Sequence, residues 1–163
     1  MPLEIERKFL VKTADWRGLA PGILYRQGYL LANGEKTVRV RVADDRGWLT
    51  IKGATVDVVR SEYEYPIPVE DAVELLNTLC ERPLIEKRRH RIAIAALIWE
   101  VDEFLGENQG LTIAEVELSS SDQVFDRPSW LGAEVSHDPR YFNASLVRHP
   151  FSRWAIAERP PLS

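Results

Sequence analysis

The stretch TVRVRVADDRGWLTIKG, residues 37–53, decides the fold. In its first half Val38, Val40 and Val42 alternate with Arg39 and Arg41; in its second, Leu49 and Ile51 alternate with Thr50 and Lys52. Side chains two apart share one face of a β-strand, so each half is a strand with an apolar face and a polar one. Asp44-Asp45-Arg46-Gly47 between them has the composition of a hairpin turn. The hairpin is therefore antiparallel, and its polar face carries Arg39, Arg41 and Lys52.

The same period recurs outward from this hairpin. Leu3 to Val11, Ile23 to Leu31, Val58 to Ile67, Pro83 to Ile94, Ile98 to Phe104 and Leu111 to Leu118 bring the expected strands to about eight, the size of a small closed barrel. Arg91 to Val101 lacks Gly, Pro, Asn or Asp where a turn must fall, near Ala95-Ala96, and alanines suit a helix. The alternation of Lys87 and Arg89 before it, and of Glu100 and Asp102 after it, still assigns two strands. Helical spacing places Val69, Ala72, Val73, Leu76 and Leu79 on one face between Pro68 and Cys80. Ser121 is expected to cap a short helix through Phe125, stopped by Pro128. Asp138-Pro139 opens another helix that turns Tyr141, Leu146 and Val147 inward, and one turn is expected between Asp15 and Gly18. The fold class is α+β: an eight-stranded antiparallel barrel with helices packed outside.

The 163 residues suit a single domain, 1–163. A net charge of −4 lacks the basic excess of a nucleic-acid binder. Cys80 is the one cysteine, so no intrachain disulfide forms, which fits a reducing compartment. The longest apolar run, Ile92 to Trp99, is too short for a membrane span, and charges fill the N-terminus where a signal peptide needs an apolar core. The expectation is a cytoplasmic protein without a membrane or nucleic-acid partner, monomeric or homodimeric.

Charge is sorted by strand. Glu62 pairs with Glu64, and Glu115 with Glu117, while Arg39 pairs with Arg41 and Lys87 with Arg89. A solvated sheet face mixes signs more freely, and its ion pairs contribute little. If the charged faces line one lumen, Lys8, Arg39, Arg41, Lys52, Lys87 and Arg89 form a cationic wall suited to several phosphate groups. Glu4, Glu6, Glu62, Glu64, Asp102, Glu115 and Glu117 form a hard-oxygen wall suited to Mg²⁺ or Mn²⁺. Both walls together meet the needs of metal-assisted phosphoryl transfer. His90, His137 and His149 lack the spacing of a zinc site.

Glu4-Ile5-Glu6-Arg7-Lys8 resembles the ExExK signature of the CYTH superfamily, the triphosphate tunnel metalloenzymes. Arg26-Gln27-Gly28-Tyr29, Val38-Arg39-Val40-Arg41, Leu49-Thr50-Ile51-Lys52, Glu62-Tyr63-Glu64, Glu86-Lys87-Arg88-Arg89, Glu100-Val101-Asp102, Glu115-Val116-Glu117, Trp130-Leu131-Gly132 and Arg140-Tyr141 with Asn143 follow in family order. The series resembles the short bacterial branch. That resemblance implies a tunnel-forming barrel and metal-dependent hydrolysis of inorganic triphosphate to diphosphate and phosphate. It implies that the six cations hold the polyphosphate and the seven carboxylates hold metal and orient water. Tyr29 and Lys87 match a pair that assists catalysis in such enzymes, and a lysine among cations can have a lowered pKa. Thiamine-triphosphate hydrolysis, adenylate cyclisation and non-catalytic polyphosphate binding remain alternatives. Phe142 and Ser145 stand where relatives often carry lysines at the tunnel mouth; Arg140, Arg148 and Arg153 are the candidate substitutes.

Overall fold

The computed structural model describes residues 2–160. Its strands are β1 (Leu3–Val11), β2 (Gly22–Ala32), β3 (Lys36–Ala43), β4 (Arg46–Gly53), β5 (Val59–Ile67), β6 (Ile85–Ile94), β7 (Leu97–Phe104) and β8 (Thr112–Glu117). They pair antiparallel in the order β5-β4-β3-β2-β6-β7-β8-β1, and β1 returns to β5 to close a tunnel-like ring. The closure is short, from Leu3↔Ser61 to Ile5↔Val59. Beyond it the same edge of β1 pairs with a ninth strand, β9 (Leu131–Glu134), which the hydrophobic pattern did not reveal.

Two tight turns set the register of the hairpins. Ala43 pairs with Arg46, leaving Asp44-Asp45 as the connection, with Asp44 in the left-handed region at φ +52°. A short polar side chain tolerates that conformation. Ile94 pairs with Leu97, so Ala95-Ala96 turns the chain between β6 and β7, and Ala95 also has φ +52°. Alanine gains no local hydrogen bond there, at a cost of about 1–2 kcal/mol. The pairing of the flanking strands overrides that local preference, and the two strands expected here form.

The outer face of the ring is covered in two places. Helix α1 (Val69–Thr78) crosses β3 and β4, where Ala72 and Leu76 are buried with Val40 and Cys80. The helix sits so close that a Cβ at Gly47 would come within 2.7 Å of Ala72 Cβ. Leu79, expected on the buried face, lies past the helix end and is exposed. The second cover is an aromatic core of Phe9, Trp16, Trp99 and Trp130 over β1, β7 and β8. The helix expected from Ser121 to Phe125 does not form: residues 121–122 make a turn and 123–128 run without regular structure. Phe125 packs edge-on against Phe9 and Trp99, and Gln123 accepts a hydrogen bond from the backbone N–H of Ser119 through its side chain. These contacts compete with a helix that would need its own backbone bonds.

The third core closes part of one end of the ring. Tyr29, Ile85, Phe104 and Ile113 pack there against Tyr141, Leu146, Val147, Phe151 and Trp154. Asp138 caps a 3-10 turn over Pro139–Tyr141, and helix α2 (Asn143–Arg148) follows. The C-terminal helix therefore stops a tunnel end rather than covering the outside of the wall. No helix of the described residues is long and apolar enough to cross a membrane.

Candidate active site

Register and parity converge on the lumen. Arg39 lies opposite Thr50, which lies opposite Glu64; Lys52 lies opposite Glu62. On the other side Lys8 faces Glu115, which faces Glu100. These side chains surround a cavity of about 720 Å³. Of the charged residues expected on the inner face, all but Asp102 line it, and Tyr29 lines it too. Glu100, two residues before Asp102 on the same face, takes the place on the surface.

Asp102 is fully buried behind that surface. Its Oδ2 is 2.8 Å from Lys87 Nζ and accepts from Arg89 Nη2 at 2.8 Å, while Oδ1 accepts from Arg89 Nε at 2.7 Å. Both oxygens are committed to cations, so Asp102 neutralises the basic wall rather than facing the lumen with the other acids. Lys87 has a second partner: its Nζ donates to Asn143 Oδ1 at 3.0 Å. Tyr29 is not among its partners, because Lys87 pairs across the sheet with Tyr25, and Tyr29 with Arg39.

The two walls hold charge differently from ordinary surface residues. Burial lowers Lys87 to about 7; Asp102 opposes that shift, and Arg89 and Arg41 add to it. Burial, with Arg39 and Arg89 nearby, lowers Arg41 to about 10. Arg41 donates through Nε to the neutral Gln27 Oε1 at 3.0 Å and has no ion-pair partner among the described residues. On the acidic wall, burial together with Glu115 and Glu4 holds Glu6 well above the usual carboxylate range. Burial and a hydrogen bond to Glu4 raise Glu62 to about 7. Burial opposes ionisation of Glu4 as well, but Lys52 Nζ, 2.9 Å away, a hydrogen bond with Glu62 and Arg60 nearby together outweigh it and bring Glu4 to about 2. Glu117 is raised by burial, Glu4 and Glu100.

One wall thus holds a cation without an anion, and the other holds carboxylates crowded enough to retain protons. Among the described residues no three carboxylate, histidine or cysteine groups already converge as a metal cage. The donor set nevertheless fits a hard divalent cation: Glu4, Glu6, Glu62 and Glu117 offer carboxylate oxygens whose mutual repulsion such an ion relieves. At the tunnel mouth Phe142, Ser145 and Arg148 line the cavity. Arg148 donates to the carbonyl of Ala32 and reaches Glu81, whereas Arg140 is committed to Asp138.

An antiparallel ring thus sets a basic wall and an acidic wall across one lumen. The model of the CYTH domain matches residues 2–151, and the chain belongs to that family. An inorganic triphosphatase of Acetivibrio thermocellus is 51% identical over 154 residues, covering 94% of this chain and 99% of that protein. An inorganic triphosphatase of Nitrosomonas europaea is 36% identical over 148 residues, covering 88% and 96%. A crystal structure of an inorganic triphosphatase is 34% identical, with a TM-score of 0.64 over 90% of this chain and 95% of that one.

Sequence reasoning missed Asn143, Gln27 and Glu100 as site residues. Glu100 shares the parity of Asp102 and was available from it. Gln27 and Asn143 are neutral, and the sorting of charge by strand gives them no signal.

Proposed function

We propose that this protein hydrolyses inorganic triphosphate to diphosphate and phosphate with Mg²⁺ or Mn²⁺ bound at the acidic wall. The observation that carries the reading is Arg41, a half-buried guanidinium on the lumen with no ion-pair partner among the described residues, facing the same cavity as carboxylates that burial and their neighbours hold toward the protonated form. A polyphosphate and a divalent cation relieve both at once. The names of the two relatives, at 51% and 36% identity over most of the chain, support the same substrate.

In this reading Lys8, Arg39, Arg41, Lys52, Lys87 and Arg89 hold the phosphoryl oxygens and stabilise the charge that develops as the anhydride bond breaks. A bound divalent cation supplies charge neutralisation and a favourable orientation for water. Glu4, Glu6, Glu62, Glu64, Glu115 and Glu117 supply its oxygens and orient the attacking water. Asp102 fixes Lys87 and Arg89 from behind. Lys87, at about 7, exchanges a proton at Nζ near neutral pH, and Tyr29 lines the same cavity without a direct bond to Lys87. The single thiol, Cys80, suits the cytoplasm.

The test is phosphate release from tripolyphosphate, ATP and thiamine triphosphate, each with Mg²⁺, with Mn²⁺ or after EDTA. The expected result is turnover of tripolyphosphate that EDTA abolishes and metal restores. Preference for either organic triphosphate would move the substrate assignment. Metal-free binding without turnover of any of the three would make the protein a binding module.

A further inference from the structure

We propose that Asn143 is a working residue of the site: it positions Lys87 through Oδ1 and donates to a bound phosphoryl oxygen through Nδ2. This rests on the triphosphatase reading. Lys87 Nζ donates to Asn143 Oδ1 at 3.0 Å. The same oxygen accepts from Gln27 Nε2 at 3.3 Å. Gln27 cannot be turned round, because its Oε1 is taken by Arg41 Nε at 3.0 Å and a guanidinium never accepts. Arg41, acting through Gln27, therefore fixes which way the Asn143 amide faces, whatever the charge on Lys87.

The consequences follow for both ends of that amide. Asp102 Oδ2 lies 2.8 Å from Lys87 Nζ and Asn143 Oδ1 accepts from it, so the nitrogen is held from two sides and faces a ligand in a set direction. Asn143 Nδ2 has two N–H groups and no hydrogen-bond partner among the described residues, on a side chain that lines the cavity. A neutral donor beside cations suits a phosphoryl oxygen. It adds a hydrogen bond without adding to the repulsion among Lys87, Arg41 and Arg89.

The segment that presents Asn143 is firmly held. Tyr141, Leu146 and Val147 on either side are buried in the core that closes this end of the ring. The Tyr141 carbonyl accepts from Lys8 Nζ at 3.3 Å, so the C-terminal segment touches lysines on two sides of the lumen. Asn143 is thus the point at which the stopper of the tunnel becomes part of its wall.

Asn143→Ala removes both functions, whereas Asn143→Asp keeps the acceptor for Lys87 and replaces the donor with an anion. Steady-state kinetics on tripolyphosphate with saturating Mg²⁺ separates them. Asn143→Ala is expected to lower kcat by about tenfold or more and to raise KM several-fold, as loss of hydrogen bonds to charged groups does. Asn143→Asp is expected to keep most of kcat while raising KM more than Asn143→Ala does. Equal losses of kcat in the two variants would overturn the positioning role, and an unchanged KM in Asn143→Ala would overturn the donor role. If the wild type turns over no tripolyphosphate, the triphosphatase reading fails by itself. Calorimetric binding of tripolyphosphate to metal-free protein then still decides the donor: weaker binding by Asn143→Ala upholds it, and equal binding refutes it.

Discussion

The two sides of the lumen carry comparable numbers of charges and handle them in opposite ways. Behind Lys87 and Arg89 sits Asp102, fully buried, with its oxygens 2.7–2.8 Å from their nitrogens. That side is neutralised from within. Across the cavity, Glu4, Glu6, Glu62 and Glu117 crowd one another, and Lys52 serves Glu4 and Glu62 together. The first side is compensated at Lys87 and Arg89 and leaves Arg41 alone without an ion-pair partner among the described residues. The second is incomplete until a cation arrives. A static charge count would not distinguish them; the pattern of buried partners does.

Removing the internal counter-ion tests the contrast most severely. Asp102→Ala strands Lys87 and Arg89, and breaking a buried pair in this way is expected to destabilise by about 3–5 kcal/mol. Chemical unfolding measures this, and added tripolyphosphate should restore part of the loss by supplying the missing anion. A loss near zero would show that the basic side needs no compensation from within. On the acidic side the expected effect on stability has the opposite sign. Glu6→Gln removes a carboxylate that its neighbours and its burial already oppose, so the metal-free protein should unfold at a higher temperature while metal-dependent turnover falls steeply. Normal turnover in that variant would remove Glu6 from the metal wall.

The two sides should also differ in their response to pH. Glu62 rises from 4.5 to about 7 on folding, so between those values the folded, metal-free protein binds more protons and its stability falls as pH rises. Lys87 falls from 10.5 to about 7, so above pH 7 the unfolded chain binds more protons and this contribution to stability grows with pH. The metal-free profile should therefore dip near neutrality, and saturating Mg²⁺ should flatten its acidic limb but leave the alkaline one. Unfolding across pH 5–9 with and without metal checks both limbs. The smallest effect lies outside the lumen. Ala95→Gly relieves a left-handed alanine and should stabilise by up to about 1 kcal/mol with unchanged kinetics.

Much of this was legible because strands sort side chains by parity. Arg39 with Arg41, Lys87 with Arg89 and Glu115 with Glu117 reach the lumen for the same reason that Val40, Val101 and Val116 leave it. Parity could not tell Asp102 from Glu100, since depth along the tunnel depends on how neighbouring strands are staggered. β9 was not legible because only Leu131 of its four residues is buried. Asn143 belongs to a motif in the sequence, but its contacts are with Gln27 and Lys87, which are 116 and 56 residues away in the chain.

The short closure between β1 and β5 has a consequence for how the chain reaches this state. β1 meets β5 at only three positions, and its longer pairing, from Glu6↔Glu117 to Leu10↔Ile113, must wait for more than a hundred intervening residues. At a synthesis rate of about 5–20 residues per second, the first strand stands with an open edge for roughly 5–20 s. Its alternating Glu4, Glu6, Arg7 and Lys8 put charge on both faces of that edge, which discourages pairing with another nascent chain. The charges that face the lumen in the closed ring thus also disfavour edge-to-edge aggregation of the growing polypeptide.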